Sequence, residues 1–133
     1  AAGLPVREQA FQADGPSGPL RLVNLFAECR GGEEGIIVLA GSYDTRHVDG
    51  ARVVGANGGG AATAWLLEMA RALGPERPGC SVWLAWLDGG ELPAGADPAG
   101  APAGGRAFAA HLRELGVFDR VAAVITVDMI GDA

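Results

Sequence analysis

The chain has 133 residues, of which 49% are hydrophobic and 20% charged, the balance of a folded globular domain and not of a disordered segment. Its formal net charge of -6 and pI near 4.7 argue against a nucleic-acid partner, because binding a phosphate backbone needs clustered Lys and Arg. No apolar stretch approaches the roughly 18 residues of a membrane-spanning helix, and residues 1–10 show no basic segment followed by an apolar one. A mature secreted form would look the same, so the compartment stays open.

In chain order, Val6 to Gln12 and Leu20 to Cys29 are β-prone and flank Asp14-Gly15-Pro16-Ser17-Gly18-Pro19, a cluster that favours a turn. They predict an antiparallel hairpin. Gly31 and Gly32 lead to an apolar run, Ile36 to Ala40, that passes through Gly41, Ser42 and Tyr43 to Asp44. A polar, glycine-rich connection over residues 45 to 60 precedes a predicted helix from Ala61 to Leu73. Its apolar residues Trp65, Leu66, Met69 and Leu73 recur at intervals of three and four, and Gly74-Pro75 ends it.

A second apolar run, Val82 to Leu87, stops at Asp88, and the low-complexity stretch Pro93 to Gly105 reads as a mobile surface loop. A second helix is predicted from Arg106 to Leu115, capped by Gly116, and a third run, Val121 to Val127, stops at Asp128. Apolar runs without alternation read as parallel strands covered on both faces. The expected fold is therefore α/β: a single domain over 1–133, a three-layer sandwich with a mixed, mostly parallel sheet and an N-terminal antiparallel hairpin. Trp83 and Trp86, three apart on a strand, should face opposite helix layers. Cys29 and Cys80 could pair or could be buried thiols. The end of the chain just past a strand suggests a truncated domain.

Ligands of open α/β sheets bind beyond the carboxyl ends of the strands, so Asp44, Asp88 and Asp128 could converge on one site, with a divalent cation as the obvious occupant. The same carboxylates also have a structural reading, as acceptors for backbone N–H groups of the following loops. His47 with Asp49 reads as a solvated loop pair, and His111 as a helix-surface or partly packed residue. Gly55 to Gly60 fits neither dinucleotide nor P-loop spacing.

Four ordered blocks carry a family resemblance: Leu39-Ala40-Gly41-Ser42-Tyr43-Asp44-Thr45, Val54-Gly55-Ala56-Asn57-Gly58-Gly59-Gly60, Trp86-Leu87-Asp88-Gly89-Gly90-Glu91 and Val127-Asp128-Met129-Ile130-Gly131-Asp132. The chain from about Gly35 onward resembles the zinc-dependent aminopeptidase and glutaminyl cyclase group, especially its bacterial glutaminyl cyclase-like members. The resemblance implies a zinc-ligating His where this chain has Ser42, a metal-bridging Asp where it has Gly58, and a general-base Glu where it has Gly90. What it leaves is Glu91 at a metal-ligand position and Asp44 and Asp128 as residual catalytic carboxylates; a further His ligand would lie beyond this sequence. The expectation is a catalytically disabled member, natural, engineered or truncated, with no cofactor as written although zinc serves the family. The alternatives are an active zinc-dependent aminopeptidase or glutaminyl cyclase completed by other sequence or another chain, and a non-enzymatic module holding a peptide in the strand-end crevice. The oligomeric state is open.

Overall fold

The computed structural model describes residues 3–15, 17–46, 48–92 and 102–131. Among these residues four strands form one sheet: β1 (Val6–Gly15), β2 (Gly18–Ser42), β3 (Glu76–Leu87) and β4 (Val121–Thr126). Two helices, α1 (Ala61–Leu73) and α2 (Ala103–Glu114), are accompanied by a π-helical turn at Ala56–Gly60 and a 3-10 turn at Phe118–Arg120.

β1 and the first part of β2 form the expected antiparallel hairpin, in register from Val6 opposite Ala27 to Gly15 opposite Gly18. The sequence predicts a break at Gly31 and Gly32, but β2 continues through it for 25 residues. As β2 advances from Leu25 to Cys29 its partners on β3 fall from Trp86 to Val82, and from Ile36 to Ser42 they rise from Ser81 to Leu87. The two halves of β2 therefore flank β3, and only the second half runs parallel to it. Glycine makes the wrap feasible: a Cβ on Gly31 would lie 2.2 Å from the Gly79 carbonyl oxygen, and Gly35 holds φ at 106°. Ser81 Oγ accepts a hydrogen bond from the Gly31 N–H at 3.0 Å and fixes the crossing. β4 pairs in parallel with the second half of β2, so the sheet is mixed, as expected.

Alternation along the central strands divides the core into two layers. Phe26, Val38, Ala40, Trp83 and Ala85 pack with Phe108 and Leu112 of α2. Ala27, Leu39, Val82, Leu84 and Trp86 pack with Leu66 and Ala70 of α1. The two tryptophans thus face opposite layers, and Phe26 stacks on Trp83 with ring centres 5.7 Å apart. Cys29 and Cys80 are both free thiols, Cys29 buried in the α1 layer, so no disulfide joins them.

α1 has the predicted limits and ends on Gly74 at φ 69°. α2 begins three residues before its predicted start, because Ala103 to Gly105 are helical and not part of the loop. Gly104 is buried there, and a Cβ on it would lie 2.2 Å from the Asp88 carbonyl oxygen. Tertiary contact, not helix propensity, recruits this turn. The rest of the predicted loop, residues 93–101, and His47 lie outside the described residues.

Leu66 is fully buried on α1, while its neighbour Leu67 is 57% exposed. Leu66→Ala should lower unfolding stability by about 2–5 kcal/mol, and Leu67→Ala should change it by no more than about 0.5 kcal/mol, both read by urea denaturation.

Candidate functional site

At the carboxyl ends of the strands lies a cavity of about 560 Å³ lined by Ser42, Gly58, Gly59, Gly90, Glu91, Arg106 and Asp128, among others. The second half of β2 delivers Ser42, the π-helical turn Gly58, the turn after β3 Gly90 and Glu91, and the segment after β4 Asp128. Ser42, Gly58, Gly90, Glu91 and Asp128, far apart in sequence, thus share one crevice, as the strand-end rule predicts.

The three strand-end aspartates do not gather there. Asp88 turns back into the sheet: its Oδ2 accepts from the Val23 N–H at 2.9 Å and its Oδ1 from the Gly89 N–H at 2.8 Å. Its structural reading holds, because both carboxylate oxygens are committed to backbone. Asp44 stands behind the crevice, where its Oδ2 accepts from the Glu91 N–H at 2.8 Å. Its Oδ1 is buried and has no hydrogen-bond partner among the described residues. Asp128 is exposed at the rim.

Glu91 is held at both ends by the segment after β2. Its backbone bonds to Asp44, and its carboxylate faces Arg46 with Nε and Oε2 3.3 Å apart. Both side chains of that ion pair are substantially exposed, so it contributes on the order of 0–1 kcal/mol. Gly90 meets Ser42 directly: a Cβ at position 90 would lie 2.1 Å from Ser42 Oγ, 2.9 Å from Ser42 Cβ and 3.2 Å from Asp44 Oδ1. Gly58 is different, because a Cβ there would meet nothing within 4 Å.

Catalytic zinc takes about three protein ligands and keeps a position for water. The crevice offers the Glu91 and Asp128 carboxylates and the Ser42 hydroxyl, with Glu91 already facing Arg46. Among the described residues no three His, Cys, Asp or Glu side chains are disposed to hold a metal ion. His111 lies away from the crevice on α2, edge-on to Phe26 and 3.6 Å from the Glu114 carboxylate, as a partly packed helix residue.

Sequence reading missed Asn24, Asn57 and Arg46. Asn24 is fully buried; its Nδ2 donates to Gln9 Oε1 and to the Gly104 carbonyl, and its Oδ1 accepts from the Asp88 N–H, each at 2.9 Å. A lone asparagine inside the apolar stretch Leu20 to Cys29 was the available signal. Asn57 Oδ1 accepts from the Gly131 N–H at 2.8 Å and ties the segment after β4 to the π-helical turn. In that segment Met129 holds φ at 49°, an uncommon conformation for a residue with a side chain.

Tyr43 anchors the first strand end. Its N–H donates to the Leu87 carbonyl at 3.1 Å and its hydroxyl to the Val23 carbonyl at 2.6 Å. Loss of hydration, then the nearby Asp88 charge, pushes its pKa up to about 12. The folded state favours the neutral phenol, so this stabilisation is complete below pH 10.0 and is lost as pH rises through about 12. Tyr43 is the chain's single tyrosine. Phenolate absorbance should therefore report one transition near 12 in the folded protein, shifted downward in Asp88→Asn.

Comparison with known proteins agrees with this architecture. The glutaminyl cyclase of an Acidobacteriales bacterium matches 96% of this chain and 44% of its own, at 35% identity and a TM-score of 0.84. A Porphyromonas gingivalis glutaminyl cyclase matches 98% of this chain and 48% of its own, at 26% identity and a TM-score of 0.79. A leucine aminopeptidase precursor from Bacteroides thetaiotaomicron shares the fold at 22% identity, with a TM-score of 0.72 over 98% of this chain and 50% of its own. The chain thus spans about half the length of the solved structures it matches. No curated protein matches it. The sequence pattern of peptidase family M28 matches residues 24–133, and on that match, joined to the fold, the chain belongs to peptidase family M28.

Proposed function

We propose that this chain is a catalytically silent member of the family, with a crevice that keeps its shape without the groups that hold zinc or move a proton. The observation that carries the reading is the contact between positions 42 and 90. A Cβ at Gly90 would lie 2.1 Å from Ser42 Oγ and 2.9 Å from Ser42 Cβ, so a side chain there would require Ser42 to shift, and the position that the family resemblance assigns to the general base carries no carboxylate. The crevice donors supply two carboxylates where a catalytic zinc takes about three ligands. Glu91, at a metal-ligand position by resemblance, has Arg46 as its counter-charge. On this reading Asp44 and Asp128 are residual site carboxylates, no cofactor serves the chain as it stands, and the crevice keeps only the capacity to hold a peptide.

A second reading is favoured by the position of Glu91 and Asp128 on one cavity. In it the chain contributes those two groups to an active zinc-dependent aminopeptidase or glutaminyl cyclase, completed by other sequence or another chain.

Metal content after purification and turnover of aminoacyl and N-terminal glutaminyl substrates separate the two. The expected result is no stoichiometric zinc and no turnover above background; stoichiometric zinc with turnover overturns the first reading. The two replaced positions should also differ in tolerance. Gly58→Asp should fold with stability close to the parent, while Gly90→Glu should lose about 1–3 kcal/mol by overpacking against Ser42, measured by thermal and urea unfolding.

A further inference from the structure

The chain has two asparagines, and they stand in opposite chemical situations. Asn24 is fully buried on β2, is followed by the bulky Leu25, and has its amide bonded to Gln9, Gly104 and Asp88. Asn57 is half-buried in the π-helical turn at Ala56–Gly60 and is followed by Gly58, Gly59 and Gly60. A Cβ on Gly58 would meet nothing within 4 Å, so the backbone there has glycine's freedom and the room to use it. The Gly58 N–H belongs to the first turn of the helical segment, where no earlier helical carbonyl is placed to accept it. Asn57 Oδ1 accepts from the Gly131 N–H at 2.8 Å, which draws electron density away from the side-chain carbon Cγ.

We propose that Asn57-Gly58 is a self-modification site, at which the Gly58 nitrogen attacks Asn57 Cγ. The N–Cγ bond forms as the Cγ–Nδ2 bond breaks, and the Gly58 amide proton leaves with the departing nitrogen as ammonia. Water then opens the cyclic imide, at Cγ to give aspartate or at the main-chain carbonyl to give isoaspartate. The net change is amide plus water to carboxylate plus ammonia. Ring closure needs the nitrogen and Cγ in near-attack contact, which a side chain at residue 58 would hinder. The step needs neither zinc nor a bound peptide. The new carboxylate stands beside Gly58, which lines the crevice with Glu91 and Asp128, and adds one negative charge to a chain whose formal net charge is -6. An aspartate at position 57 can still accept from Gly131, whereas the added main-chain carbon of isoaspartate displaces the carboxylate and releases the segment after β4.

The 133-residue chain, incubated in mildly alkaline buffer beside a peptide of residues 53–61, is followed by intact mass, ammonia release and peptide mapping. A gain of about 1 Da at residue 57 is expected, as a mixture of aspartate and isoaspartate, at a rate within about tenfold of the peptide's, while Asn24 stays an amide. The Asp-Gly pairs at Asp14, Asp49 and Asp88 can close the same ring, but they release water and not ammonia, so neither the ammonia nor the mass gain comes from them. Gly58→Ala, whose Cβ has open space, should fold like the parent and slow the conversion about tenfold or more. The peptide comparison and the isoaspartate content remain informative if that variant fails to fold. Asn57 left intact, or converted more than about tenfold slower than in the peptide, overturns the proposal. So does conversion to aspartate alone, which marks direct hydrolysis, and so does a folded Gly58→Ala variant that converts as fast as the parent.

Discussion

The buried side chain of Asn24 joins four parts of the fold at one point. It donates to Gln9 on β1 and to Gly104 at the start of α2, and it accepts from the backbone of Asp88 at the end of β3, while sitting on β2 itself. Gln9 in turn donates to the Ala107 carbonyl on α2 at 2.7 Å, and Asp88 accepts from Val23 beside Asn24. A fully buried amide is tolerable only when its donors and acceptor are satisfied, and here both donors and the acceptor have partners. The network positions the turn after β3, from which Gly90 and Glu91 reach the crevice. It also explains why Gly104 is a glycine, since a Cβ there would lie 2.7 Å from Asn24 Oδ1.

The crevice is held by backbone and not by clustered charge. Asp44 Oδ2 and Asp88 Oδ1 accept from N–H groups of the turn after β3, Asp88 Oδ2 accepts from Val23 on β2, and Asn57 Oδ1 accepts from Gly131 in the segment after β4. These bonds keep the strand ends in register whatever occupies the space between them. Ser42, Gly58 and Gly90 are therefore not equivalent. Gly58 leaves open space, while Ser42 and Gly90 have become each other's packing partners. Arg46 faces the Glu91 carboxylate, which moderates the local negative charge in an acidic chain.

The course of β2 links this site to β4. By passing around the start of β3, the strand places one half between β1 and β3 and the other between β3 and β4. The first half carries Asn24 and the second ends at Ser42, so a single stretch of backbone supplies both the buried network and a wall of the crevice. Among the described residues β4 is paired along a single edge, and Val124 and Ile125 are exposed.

Much of this architecture was legible from residue patterns. The apolar runs marked the central strands, the three- and four-residue spacing marked both helices, and the ordered glycine and aspartate blocks pointed to the family. These are local signals, set by which faces of a segment avoid water. The course of β2 was not legible, because Gly31 and Gly35 mark a change of direction equally well for a loop and for a strand that bends around another. Nor was the fate of the aspartates. Asp44, Asp88 and Asp128 each follow an apolar run, yet one supports Glu91, one locks β2 and one stands at the rim, according to which N–H groups the fold brings within reach. Sequence alone determined the elements, the two-faced core and the residue types at the strand ends. Only the tertiary structure decided which of those residues face one another, because hydrogen-bond partners and steric room are set by segments distant along the chain.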